Sequence, residues 1–307
     1  MRKVSSKYAG RKFDEMDVTL DKFADVNGLK ICYRTVGSPE NPALLLIMGL
    51  GAQLIGWPDE FVKKLAKRGF FVVTFDNRDC GLSTKSSGTP PDPSDLLLKA
   101  VAGEPIVAAY SLSDMADDAV ALLTYLGCEE AHIVGASMGG MIAQTIAIEH
   151  PKVALSLTSI MSATGNPEEF TPTEEALEAL ISSPPNSRSE IIEANVVASR
   201  ALAGPLWEES YAREQAAKSY DRSFHPHGIG FQIGAITLSG DRRKGLAALD
   251  LPCLVIHGLV DPLLPLHCGQ ATTDAIPGST LLVFDDMGHD LPEKHWDEVI
   301  NAIGSLT

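Results

Sequence analysis

The order of apolar runs and helical periods in this sequence predicts an α/β fold, in which a mostly parallel sheet is flanked by helices. Short runs that are apolar on both faces are typical of strands buried in a parallel sheet. Such runs occur at 43–48, 70–75, 131–134, 155–160, 252–256 and 280–284. Segments with helical spacing lie between or after them, at 58–67, 112–126, 138–150 and 293–303. Alternation of this kind indicates a parallel sheet covered by helices.

Local signals set the ends of some of these elements. Asn27-Gly28 lies between the apolar stretches 18–26 and 29–35, which predicts a tight β-hairpin before the parallel strands begin. Pro58 suits the first turn of one helix, and Ser113 or Asp114 is expected to cap the helix over 112–126.

The alternation stops after Met161. Residues 163–245 are rich in Glu, Ala and Ser and contain helical stretches at 173–181 and 191–201 without a buried-strand run. We therefore predict a core formed by residues 1–162 and 246–307, into which a helical lid, the 163–245 segment, is inserted. The alternative is that this segment only lengthens the helices of the core.

Composition limits the classes of function. The 307 residues are 45% apolar and 21% charged, as in a globular protein with a core. The net charge of −15 disfavours binding to nucleic acid or to anionic membrane faces, and suits a small-molecule substrate. The charge does not indicate an oligomeric state.

Cysteine usage and hydropathy give further expectations. Five cysteines without a CxxC pair argue against a disulfide framework or a zinc site. The most apolar run, at 43–51, is too short to span a bilayer, and no apolar leader follows the first residues. We therefore expect a cytoplasmic protein without a membrane span, a metal ion or a cofactor.

A nucleophile motif follows the third parallel-strand candidate. Gly135-Ala136-Ser137-Met138-Gly139 lies between a strand and a helix. A GxSxG turn in this setting lifts the serine hydroxyl clear of the sheet, and the helix N-terminus favours negative charge beside it. We predict that Ser137 is a nucleophile, and the alternative is a structural glycine-rich turn.

A nucleophilic serine needs a base and an acid that orients the base, in the chain order Ser, Asp, His for this setting. Asp261 follows the strand at 252–256 and His289 follows the strand at 280–284. Both therefore belong to loops at the carboxyl edge of the sheet, where sites of α/β proteins are built. The competing acids lie on the His289 loop itself: Asp285, Asp286 and Asp290. The competing histidines are more simply structural or exposed: His132, His150, His225, His227, His257 and His295.

Acyl transfer also requires backbone donors for the oxyanion. One is the N–H of Met138, directly after the nucleophile. The other is expected from the loop after the strand at 43–48, where Leu50 lies between two glycines. Leu50 is the preferred donor, and Gly51 remains open.

Together these motifs resemble the α/β-hydrolase family over nearly the whole chain. Residues 76–83 are similar to that family's Asp-x-Arg-Gly-x-Gly-x-Ser loop, with Asp79 in place of the first glycine. Residues 48–61, which include Gly-Trp-Pro-Asp-Glu-Phe, resemble a narrower group around aclacinomycin methylesterase. The resemblance implies hydrolysis of carboxylic esters by a Ser-Asp-His triad beneath a helical cap, and hydrogen bonds within the loop for Asp76 and Arg78.

The sequence therefore predicts a serine hydrolase that cleaves esters of small to medium size through an acyl-enzyme on Ser137. The alternatives are other acyl-transfer, C–C hydrolase, lactonase or perhydrolase reactions on the same triad, or a non-catalytic receptor for a small ligand. Four aromatic residues are candidates for the substrate pocket, although each is equally compatible with simple core packing: Trp57, Trp207, Phe224 and Phe231.

Overall fold

The computed structural model describes residues 18–182 and 185–306. Eight strands form one sheet: β1 Lys22–Val26, β2 Leu29–Val36, β3 Ala43–Ile47, β4 Phe71–Phe75, β5 Ala131–Ala136, β6 Ala154–Ile160, β7 Cys253–Gly258 and β8 Thr280–Phe284. Their order in the sheet is β1-β2-β4-β3-β5-β6-β7-β8. The first two strands pair antiparallel, β2 is antiparallel to β4, and the remaining neighbours are parallel.

Helices lie between the parallel strands and after the last one: α1 Asp59–Lys67, α2 Pro93–Ala102, α3 Leu112–Tyr125, α4 Met138–Glu149, α5 Glu174–Ile181, α6 Arg188–Leu202, α7 Glu209–Arg222, α8 His227–Ser239, α9 Arg243–Leu246, α10 Leu266–Ala275 and α11 Trp296–Gly304. The predicted α/β class with a mostly parallel sheet is confirmed. Helices α2 and α10 were not predicted, and within the helical 163–245 segment α7, α8 and α9 were not predicted individually.

The sheet has one apolar layer on each face, because successive side chains of a strand point to opposite sides. Leu45 and Ile47 of β3 belong to the cluster that includes the buried faces of α3 and α4. Leu44 and Leu46 belong to the second cluster, which includes α1 and α11. Both faces of β3 are therefore buried, which explains its continuous apolar run.

Of the turn and the helix cap that the sequence predicts, the hairpin turn is confirmed and the cap of α3 is not. Asn27 and Gly28 have φ values of 50° and 75°, as the tight hairpin between β1 and β2 requires. The expected cap of α3 at Ser113 or Asp114 is wrong. Ser111 is the N-cap, its hydroxyl accepts from the Asp114 N–H, and the Asp114 carboxylate accepts from the Ser111 N–H. Pro58 precedes α1 as its N-cap.

Helices α5 to α9 lie between β6 and β7, and no strand occurs in the described part of this stretch. Ile192, Val196 and Ala216 form a small apolar cluster of their own, against which Trp207 packs. Part of the 163–245 segment thus packs separately, whereas Ala176, Phe231 and Ala235 join the cluster that includes the buried faces of α3 and α4. The boundaries of the segment as an inserted subdomain stay a prediction.

Within the described ranges, the structure shows free thiols but neither a helix that could span a membrane nor a cluster that could hold a metal ion. The five cysteines are free thiols. No helix within residues 18–182 and 185–306 is long and apolar enough to cross a membrane. Over the same ranges, no three His, Cys, Asp or Glu side chains are grouped so that they could hold a metal ion.

Candidate active site

Ser137 occupies the sharp turn between β5 and α4. Its φ of 56° and ψ of −122° are a strained conformation for a residue with a side chain. Close backbone contacts enforce this turn: a Cβ on Gly135 would lie 2.0 Å from the Gly139 carbonyl oxygen, and one on Gly139 would lie 2.1 Å from the Ile47 carbonyl oxygen. Both positions therefore need glycine, and the serine side chain stays partly exposed.

The structure brings Ser137, His289 and Asp261 into one hydrogen-bonded chain. His289 Nε2 lies 2.9 Å from Ser137 Oγ, and His289 Nδ1 lies 2.8 Å from Asp261 Oδ2. Because an ionised carboxylate only accepts, the imidazole donates from Nδ1 and accepts the Ser137 hydroxyl at Nε2. This is the tautomer that a general base for Ser137 needs.

Asp261 is buried and held by its own loop. Its Oδ1 accepts the backbone N–H groups of Leu263 and Leu264, each at 2.9 Å. These bonds leave Oδ2 for His289, so both oxygens of this buried carboxylate have hydrogen-bond partners.

The competing acids on the His289 loop have other partners. Asp286 bonds to Lys294 and His295. Asp290 Oδ1 accepts the Gly288 N–H at 2.9 Å and the Gly204 N–H at 3.4 Å, and burial raises the pKa of Asp290 above its usual value. Asp285 is exposed. Asp261 is therefore the carboxylate that the fold places on His289.

The other histidines lie outside this chain. His132 bonds to Ser156 at 2.8 Å and His150 to Asp117 at 2.8 Å, both away from Ser137. His295 bonds to Asp286 and stacks on Phe284. In the 163–245 segment, His225 Nε2 lies 3.9 Å from Asp79, and His227 begins α8.

His257 lies beneath the acid loop. It is fully buried, and its Nε2 donates to the Leu264 carbonyl oxygen at 2.7 Å. Since Leu264 also donates its N–H to Asp261, His257 supports the loop from below. The sequence predicts a structural role for His257, and the structure adds its hydrogen-bond partner, the Leu264 carbonyl oxygen.

Burial of His257 predicts a pH effect on stability. Desolvation of the charged imidazolium lowers the pKa of His257 below its ordinary value. In the unfolded chain an imidazole titrates near about 6.5, so below that pH the unfolded state binds a proton that the folded state refuses. The free energy of unfolding is therefore fully retained above about pH 6.5 and decreases as pH falls below it.

His257→Gln removes the contribution of this imidazole to the pH dependence of stability. The slope of the free energy of unfolding against pH is then expected to decrease by up to about 1.4 kcal/mol per pH unit just below pH 6.5. Urea titrations at a series of pH values measure it. His132→Gln removes a second imidazole whose pKa is lowered by burial, as that of His225 also is, and so removes a separate part of the slope. An unchanged slope in His257→Gln contradicts the prediction.

The two expected oxyanion donors flank Ser137. Met138 is the first residue of α4, and a Cβ on Gly49, next to Leu50, would lie 3.1 Å from Ser137 Cβ. Among the described residues no acceptor is bonded to the N–H of Leu50 or Met138. The N–H of Gly51, the alternative donor, is bonded to Gln232 Oε1 at 2.8 Å.

Side chains of the Asp-x-Arg loop, residues 76–83, form hydrogen bonds and ion pairs with neighbouring segments. Asp76 is fully buried, accepts the N–H of Leu54 at 2.7 Å and that of Leu82 at 2.8 Å, and pairs with Arg222 at 2.8 Å. Arg78 pairs with Asp118 at 2.7 Å.

Asp79, where the resemblance has glycine, adopts a φ of 64° and accepts hydrogen bonds from Ser86 and Tyr110. Asp79 thus adopts a left-handed backbone conformation that normally favours glycine, while Ser86 and Tyr110 hold its carboxylate by hydrogen bonds.

A cavity of about 880 Å³ lies within the 163–245 segment and reaches the loop after β3 at Gly51. Ser137, Asp261 and His289 do not line it. Of the four aromatic candidates, Phe224 lines this cavity. Trp57 is buried and stacks on Phe61, Trp207 packs on the small cluster of the segment, and Phe231 lies in the main core. The cavity wall on α6 includes three alanines, Ala194, Ala198 and Ala201, beside longer side chains.

Known proteins resemble the chain in sequence and in fold. Rhodomycin D methylesterase DauP of Streptomyces sp. strain C5 is 29% identical over 295 residues, which cover 89% of this chain and 93% of that protein. Rhodomycin D methylesterase DnrP of Streptomyces peucetius is 27% identical over the same shares. These relatives confirm the resemblance to a methylesterase group.

The fold has close counterparts among solved structures. The enol-lactonase from Burkholderia xenovorans LB400 superposes with a TM-score of 0.71 at 22% identity, over 93% of this chain and 99% of that one. The sequence profile of the alpha/beta hydrolase fold matches residues 42–218. The chain belongs to the alpha/beta hydrolase family.

Proposed function

We propose that this protein hydrolyses carboxylic esters through an acyl-enzyme on Ser137. The observation that carries the proposal is the chain of hydrogen bonds from Ser137 through His289 to Asp261, at 2.9 Å and 2.8 Å. The two similar methylesterases support ester hydrolysis as the reaction. In this proposal the 163–245 segment is a lid that covers the substrate.

Acylation begins when Ser137 Oγ attacks the ester carbonyl carbon and passes its proton to His289 Nε2. The Leu50 and Met138 N–H groups stabilise the negative charge on the carbonyl oxygen of the tetrahedral intermediate. Asp261 stabilises the imidazolium through Nδ1. Collapse of the intermediate breaks the bond to the alcohol oxygen, which leaves with the proton from His289 Nε2.

Deacylation repeats these steps with water. His289 Nε2 accepts a proton from a water molecule as its oxygen attacks the acyl carbon, and the same two N–H groups hold the oxyanion. Ser137 Oγ is then expelled and recovers the proton from His289. The products are the carboxylic acid and the free enzyme.

Stopped-flow kinetics with a p-nitrophenyl ester test the proposal. If deacylation is slower than acylation, a burst of nitrophenol equal to the enzyme concentration precedes the steady state. A fluorophosphonate probe is expected to label Ser137 stoichiometrically. A ligand-binding receptor with the same cavity would give neither signal, and failure of the wild type to react with the probe would overturn the proposal.

The volume of the cavity favours a bulky substrate, such as the methyl ester of a large acid. Ala198→Phe introduces a ring at the cavity wall on α6. We expect kcat/KM for a bulky ester to fall by about tenfold or more, since loss of shape complementarity costs about 1–3 kcal/mol. The value for p-nitrophenyl acetate is expected to change by less than about twofold.

Ala102→Phe is the matched control, because Ala102 ends α2 at an exposed position outside the cavity wall. It is expected to leave both esters unaffected. Equal losses for small and bulky esters in Ala198→Phe would contradict a substrate role for the cavity.

A further inference from the structure

The loop after β3 is held by the 163–245 segment. The Gly51 N–H donates to Gln232 Oε1 of α8 at 2.8 Å. Gln53 Nε2 donates to the carbonyl oxygens of Ser219 and Ser223 at 2.7 and 2.8 Å, and its Oε1 accepts from Arg222 at 2.7 Å. A loop that the proposed reaction requires is thus fixed by contacts more than 160 residues away in sequence.

Gln232 is the member of this set with no exposed surface. While its Oε1 accepts from Gly51, its Nε2 donates to the Arg78 carbonyl oxygen at 2.8 Å. The side-chain amide therefore joins the loop after β3 to the loop after β4. Its orientation is determined, because one partner is a donor and the other an acceptor.

The bond to Gln232 determines which N–H of the loop is free. The Gly51 carbonyl oxygen accepts from the Cys80 thiol at 3.3 Å, so both backbone polar groups of Gly51 have partners. Gln232 fixes the peptide plane between Leu50 and Gly51. The preceding plane, which carries the Leu50 N–H, is held by the same short loop, since the Ala52 N–H donates to the Gly49 carbonyl oxygen at 3.2 Å.

We propose that Gln232 is a positioning residue of the reaction: by binding the Gly51 N–H it holds the loop after β3 so that Leu50 supplies the second oxyanion donor. This inference rests on the proposed function. Gln232 itself does not touch the reacting atoms; it acts through the Leu50–Gly51 peptide. A displacement of about 1 Å at an oxyanion donor lowers the rate by up to about 10²-fold.

Gln232→Met tests the inference, because methionine has similar length and lacks both hydrogen-bonding groups. We expect kcat to fall by about 10- to 100-fold with KM changed by less than about threefold. Affinity for a trifluoromethyl ketone, which forms an oxyanion on Ser137, is expected to fall by the same factor as kcat/KM. All rates are divided by the concentration of sites that a fluorophosphonate titrates, so loss of folded protein does not imitate the effect.

Gln144→Met is the matched control. Gln144 is also a fully buried glutamine with two side-chain hydrogen bonds, to Ser159 and Arg242, and both partners lie outside the loop after β3. We expect Gln144→Met to lower the melting temperature at least as much as Gln232→Met does. In Gln144→Met, kcat/KM per titrated site and the affinity for the ketone are not expected to fall by a common factor. Wild-type kcat per titrated site in Gln232→Met would overturn the inference, whereas an unlabelled wild type would overturn the proposed function itself.

Two further measurements apply if Gln232→Met does not fold. A glutamate at this position is held neutral by desolvation, so it accepts from Gly51 and donates to Arg78, and Gln232→Glu is expected to retain kcat within about tenfold. In wild-type protein labelled with ¹⁵N-glycine, the Gly51 amide is expected to exchange with solvent much more slowly than a free peptide. Exchange at the free-peptide rate would overturn the inference.

Discussion

Ser137→Ala is expected to lower kcat for ester hydrolysis by about 10⁶-fold, because the reaction loses the atom that forms the acyl-enzyme. The alanine also removes the hydroxyl that His289 Nε2 faces at 2.9 Å, so the base has no proton to accept from the enzyme. Initial rates with a p-nitrophenyl ester measure the loss. Intact-mass spectrometry after treatment with a fluorophosphonate shows whether any adduct forms.

Ser156→Ala is the matched control for this substitution. Ser156 is a buried serine on β6 whose hydroxyl is bonded to His132 at 2.8 Å, away from the candidate site. The control should keep the rate and the adduct. Substantial hydrolysis by Ser137→Ala, or labelling of another residue in it, would disprove the assignment of the nucleophile.

Asp261→Asn is expected to lower kcat by about 10⁴-fold through the tautomer of His289. The backbone N–H groups of Leu263 and Leu264 require an oxygen at the Oδ1 position, so the amide of asparagine turns its NH₂ group toward His289 Nδ1. The imidazole must then accept at Nδ1 and carry its proton on Nε2. A protonated Nε2 cannot take the proton of Ser137.

Asp286→Asn separates this effect from a general loss of charge near His289. Asp286 lies on the same loop as His289, but its carboxylate bonds to Lys294 and His295. We expect kcat to change by less than about threefold, since the bonds that it loses lie at a partly exposed site. Rates per fluorophosphonate-titrated site compare the two variants. A similar loss in both would show that Asp261 does not orient the base.

The local parts of this protein could be predicted from its sequence. The β5–Ser137–α4 turn needs glycine at positions 135 and 139, and the hairpin needs positive φ at Asn27 and Gly28. Such requirements concern only neighbouring backbone atoms, so a few residues carry the whole signal. The apolar runs also determined the class of fold, because strands buried on both faces have no polar positions.

The hydrogen-bond partners of the competing residues depended on the tertiary structure. Asp290 lies beside His289 in the sequence, yet its carboxylate is occupied by the N–H groups of Gly288 and Gly204, and Asp261 reaches the imidazole from another loop. The four aromatic candidates for the pocket are a similar case. Aromatic character does not specify which face a side chain packs against, and only Phe224 of the four lines the cavity within the described residues.

By itself, the sequence determined the fold class, the turn that carries Ser137 and the chain order of the three polar residues. The tertiary structure decided which backbone N–H beside that serine stays free. The sequence favours Leu50 but leaves Gly51 open, and the contact that occupies the Gly51 N–H comes from Gln232, 181 residues after Gly51. Patterns of apolar and turn residues describe neighbours along the chain, whereas this contact forms only when α8 packs against two loops of the core.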